Sequence, residues 1–150
     1  MNELLQNLIE ALREELKEYG EMLALLDQQQ QMVTHRQTQD LLQCVGSINV
    51  QAEAIAAARR EREQRQREVA RELNLAADAP FNDVVPKLPV NFQPLMKALV
   101  QENNQLLTRI TELMQRFLGS LFQSNPTTYD NAGQLLATAL PQHSVYDAIG

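Results

Sequence analysis

The chain has 150 residues, a length that favours one domain; 44% are hydrophobic and 5% aromatic, with five Gly, six Pro, one Cys and no Trp. So few glycines, and no strand-like runs of Val, Ile, Thr and Tyr, argue against a β-sandwich and a doubly wound α/β fold. The single Cys excludes an internal disulfide framework and a Cys-rich zinc site, and a net charge of -6 argues against a general nucleic-acid binder.

No run approaches the apolar length of a membrane span, and the acidic, amphipathic start is not that of a secretory signal. A cytoplasmic protein is expected. Residues 1–33 predict one long helix. Leu5, Leu8, Leu12, Leu16, Tyr19, Leu23 and Leu26 recur at steps of three and four, which gathers them on one face. This segment carries seven Asp/Glu against two Lys/Arg. Residues 34–40 contain no apolar side chain and predict a hairpin turn.

A second helix is expected over 39–75. Leu41, Val45, Ile48, Ala52 and Ile55 set its seam, which then runs through Arg59, Arg62 and Gln66 before recovering at Val69 and Leu73. Gly46 and Ser47 weaken its first turns. Four of the six prolines fall in 76–93 and at Pro94, so a linker is expected there, with one short turn around Phe81–Val85. A third helix is expected over 94–123, with Leu99, Asn103, Leu106, Ile110, Leu113 and Phe117 in its seam. Asn103 is a polar residue of the kind that fixes register.

The predicted fold is all-α: an antiparallel pair of long helices with a third packed along it, a coiled-coil-like bundle over 1–125. Residues 126–150 form a flexible tail of Thr, Tyr, Asp, Gly and Pro with a short apolar island, Leu135–Leu140, that would fold on binding. Stripes this wide need cover, from the bundle itself, a homodimer or a client.

Little here points to catalysis. His35 and His143 have no metal-ligand neighbours in sequence, Cys44 reads as a buried thiol, and no phosphate-binding glycine loop or Ser/His/Asp order is present. No enzyme activity, cofactor or metal is expected. Arg59–Glu72 holds six Arg and four Glu. Interleaved signs at i,i+4 read as a solvated, self-paired helix face; the other reading is a docking patch for the acidic first helix or an acidic partner. Tyr129-Asp130-Asn131-Ala132-Gly133 and Tyr146-Asp147-Ala148-Ile149-Gly150 share one spacing, either by chance or as a short recognition element.

Together these features resemble the FlgN family of flagellar type III export chaperones. The Leu-rich opening from Leu4-Leu5 to Leu26, the Arg/Glu block, Glu102-Asn103-Asn104-Gln105-Leu106-Leu107 and Thr128-Tyr129-Asp130-Asn131-Ala132-Gly133 carry the resemblance. It implies a cytoplasmic chaperone that holds the hook-associated proteins FlgK and FlgL and delivers them to the flagellar export apparatus. It also implies client binding by the tail, at Tyr129, Asp130 and Gly133 with Leu135, Leu136 and Leu140. A self-associating coiled-coil scaffold, or a chaperone for a different flagellar client, is the alternative.

Overall fold

The structure is a computed structural model that describes the backbone of residues 1–34 and 38–124 and the side chains of 1–32, 39 and 42–116. The all-α class expected from the sequence is what is observed. Helix α1 spans Asn2–Thr34, α2 Thr38–Glu72, α3 Phe81–Val84 and α4 Gln93–Ser124. Two 3-10 turns, Val85–Lys87 and Val90–Phe92, separate α3 from α4.

Helix α2 ends earlier than the hydrophobic pattern predicts. Asn74 takes a left-handed conformation with φ 59°. The Leu75 amide then donates to the Ala70 carbonyl at 2.8 Å and the Asn74 amide to Arg71 at 3.0 Å. These two bonds form a Schellman cap, with Asn in place of the usual Gly. Leu73 and Leu75 therefore lie beyond the helix.

The proline-rich segment is more than a linker. Pro80 is extended and opens α3, and its carbonyl accepts the amides of Asp83 and Val84. Ala79, Phe81, Val84, Val85 and Leu88 are all buried. Glutamines anchor it at both ends: Gln66 Nε2 donates to the Ala79 carbonyl and Gln93 Nε2 to Leu88, each at 2.9 Å. The segment is a strap that supplies core.

The chain divides into two compact units. The first comprises Met1–Lys17 and Ala57–Gln105. Its core draws on Leu5, Leu8 and Leu12 of α1, Val69 of α2, Phe81 of the strap, and Met96 and Val100 of α4. The second comprises Glu18–Ala56 and α4 from Leu106 onward. Tyr19, Met22 and Leu26 of α1, Ile48, Ala52 and Ile55 of α2, and Ile110 and Met114 of α4 are buried in it. Here Gln51 bonds to Glu18 and Cys44 to Leu25. Seven residues forward on α1 match seven back on α2, so the pair is antiparallel.

Leu5, Leu8, Leu12, Tyr19 and Leu26 of the expected α1 stripe are buried, and Glu15 and Met22 take the places expected for Leu16 and Leu23. Leu5, Leu8, Leu12, Glu15, Tyr19, Met22, Leu26 and Gln29 are buried, at steps of three and four throughout. Leu16 and Leu23 are only half-buried. On α4 the expected Leu99, Asn103, Ile110 and Leu113 are buried, and Leu107 is inside while Leu106 lies at the margin.

Candidate functional site

The residues expected to bind a client, Tyr129, Asp130, Gly133, Leu135, Leu136 and Leu140, lie outside the described residues, as do His35 and His143. Three described features carry chemistry of their own.

The first is a buried polar layer in the unit made of Met1–Lys17 and Ala57–Gln105. The Arg62 guanidinium donates through Nε to Glu15 Oε1 at 2.8 Å, with side-chain exposures of 1% and 0%. Its Nη1 donates to Gln66 Oε1 at 2.8 Å, and its Cζ lies over the Phe81 ring, 5.9 Å from the centroid. A charge buried this deeply must be matched and hydrogen-bonded to be tolerated. Asn103 extends the polar set, donating to the carbonyls of Leu99 at 2.9 Å and Leu12 at 3.3 Å.

The second is the Arg/Glu block of α2. Arg59 pairs with Glu63 at 3.1 Å, and Arg65 with Glu61 at 2.8 Å and Glu68 at 3.3 Å. Hydrogen bonds that Arg65 donates to Glu61, then to Glu68, push its pKa further above its already high value. Arg59, Glu61, Glu63, Arg65 and Glu68 thus form a self-paired face, as the charge pattern predicts for 59/63 and 61/65. Arg62 and Gln66 are the exceptions. They point inward, and Arg62 meets the acidic first helix.

The missed signal is Glu15. It falls at the correct three-four register position, but Leu16 next to it is apolar and draws the seam toward itself. The facing Arg62 supplies the counter-charge that a buried Glu15 needs.

The third feature is Cys44. Its Sγ lies 3.7 Å from the Leu25 carbonyl, the thiol is buried, and desolvation raises its pKa. A raised pKa leaves less thiolate, the opposite of an activated nucleophile. Among the described residues no group of His, Cys, Asp and Glu is gathered as a metal site would need. Nor is any described helix long and apolar enough to cross a membrane.

The sequence model of the FlgN protein family matches residues 1–148. No curated protein and no solved structure matches the chain.

Proposed function

The chain belongs to the FlgN family of flagellar export chaperones, and we propose that its clients are the hook-associated proteins FlgK and FlgL. In this reading it holds them in the cytoplasm and delivers them to the export apparatus. The match over residues 1–148 carries the reading, because it takes in the tail as well as the helices.

The tail residues Tyr129, Asp130, Gly133, Leu135, Leu136 and Leu140 are the proposed client contacts. An apolar island next to a Tyr and an Asp suits the sticky, amphipathic terminal helices of a protein that must not polymerise early. A segment that orders on binding gives up affinity, which favours release at the export gate.

Titration calorimetry tests this. C-terminal segments of FlgK and FlgL are titrated into the full chain and into a Tyr129→Ala, Leu135→Ser, Leu136→Ser variant. Binding near micromolar that the variant weakens about tenfold is expected. Binding that is indifferent to the variant would move the contact to the helices. No binding to either segment would assign a different client.

A further inference from the structure

The unit comprising Glu18–Ala56 and α4 from Leu106 carries an open groove of about 770 Å³ between α1 and α2. Three of its lining residues are small: Ala24 on α1, Gly46 and Ser47 on α2. A Cβ added at Gly46 would meet nothing within 4 Å. Leu25 and Val50 line the walls, and Val50 is 68% exposed. Leu42, one turn before Gly46, is 50% exposed. Leu42, Gly46 and Val50 fall at i, i+4 and i+8. A second face of α2 therefore runs along the groove, apart from the buried Val45, Ile48 and Ala52.

The charge on these two helix segments has one sign. Residues 18–34 carry Glu18, Glu21 and Asp27, residues 38–56 carry Asp40 and Glu53, and neither stretch has a Lys or Arg. The rest of both helices mixes signs, with Arg13 and Lys17 on α1 and six Arg in the block of α2. Glu21 lines the groove itself, and the one cation between the two stretches in sequence is Arg36.

We propose that this groove docks an amphipathic helix of two to three turns whose apolar ridge is flanked by Lys and Arg. Both walls are helices with their backbone groups bonded internally, so an extended strand would find no ladder to join. Side-chain packing must hold the occupant, and the absence of a side chain at Gly46 lets a helical ridge come close. From Glu21 to Gln28 the α1 wall spans about 10 Å, which suits apolar anchors at i, i+4 and i+7. The acidic surroundings would steer a basic helix toward the groove, an effect that salt weakens. The residues that line the groove lie between Glu21 and Gln51 in sequence, and the proposal stands whichever client the tail binds.

The test uses the full chain and two glycine variants. Gly46→Gln fills the groove while removing a helix-interior Gly, so the fold should tighten rather than loosen. Gly20→Gln makes the same helical gain at an exposed position that also has nothing within 4 Å but does not line the groove. The probe is a labelled, stapled helical peptide of about four turns, Leu on one face and Lys elsewhere. A peptide of equal composition with its leucines spread around the helix is the control. Anisotropy should show binding of the first peptide to the wild-type chain and to Gly20→Gln alike. Binding about tenfold weaker is expected for Gly46→Gln and for the control peptide. Equal binding by Gly46→Gln, equal binding of the control peptide, or no binding at all would overturn the proposal. So would sedimentation showing a dimer that Gly46→Gln dissociates, which would give the groove to a second copy of the chain.

Discussion

Glu15 and Arg62 make the most consequential single contact in the described residues. Each is fully buried, and the contact runs on through Gln66 to the Ala79 carbonyl, linking α1, α2 and the strap. Removing one partner strands the other's charge, a change expected to cost about 3–5 kcal/mol. Replacing both with apolar residues of similar size removes the stranded charge and is often neutral or stabilising. In urea unfolding, Glu15→Leu and Arg62→Met should each lose about 3–5 kcal/mol, and the double variant should recover most of it. Single variants that unfold like the wild type would show that the pair is not sealed from water. Cys44 gives a second residue-level prediction, with its sign fixed by linkage. Its folded pKa is raised, so the native state holds the thiol proton longer than the unfolded chain does. That contribution is present below the unfolded thiol pKa and fades as pH rises through the folded one. Between neutral pH and pH about 10, the wild type should lose more stability than Cys44→Ala. Parallel melting curves for the two proteins would count against a buried thiol.

At the scale of elements, the three long helices were legible because leucine and isoleucine recur at helical spacing for many turns. Their existence survives an error of one residue in the seam; which residue is buried does not. On α1, Leu16 and Leu23 outweighed Glu15 and Met22 on hydrophobicity alone, because the partner that makes Glu15 acceptable lies 47 residues away. The end of α2 was set by Asn74 in a left-handed conformation, a position where Asn competes with Gly and leaves only a weak trace in sequence. The groove on α2 leaves no signature in the sequence for a related reason. Gly46 registers in sequence as a weak helix residue, and its value as empty space exists only once α1 stands beside it. The strap was underread because proline predicts where a helix cannot continue, not what its neighbours bury. Phe81, fully buried beside Arg62, makes this measurable. Phe81→Ala should cost about 3–5 kcal/mol in chemical denaturation, as a core aromatic does. A loss below about 1 kcal/mol would return the segment to the status of a linker.

For the whole molecule, stability and client binding are expected to reside in different parts of the chain. The described core runs from Leu5 to Met114, and each compact unit draws its own share from α1, α2 and α4. Charge follows a similar division: residues 1–33 carry most of the net acidity and Arg59–Glu72 most of the arginine, whereas 126–150 hold two Asp and no Lys or Arg. A chain ending at residue 125 should keep its helical circular dichroism and melt within a few degrees of the full chain, because the buried polar layer and the strap remain. The same chain should lose measurable affinity for the FlgK and FlgL segments, since Tyr129, Asp130, Gly133 and Leu135–Leu140 go with the deletion. The two readouts separate two failures. A large drop in melting temperature would make the tail part of the fold, and lost binding would then say nothing about contact. Unchanged melting with unchanged affinity would place the client on the helices, where the exposed face through Leu42, Gly46 and Val50 is the first surface to substitute.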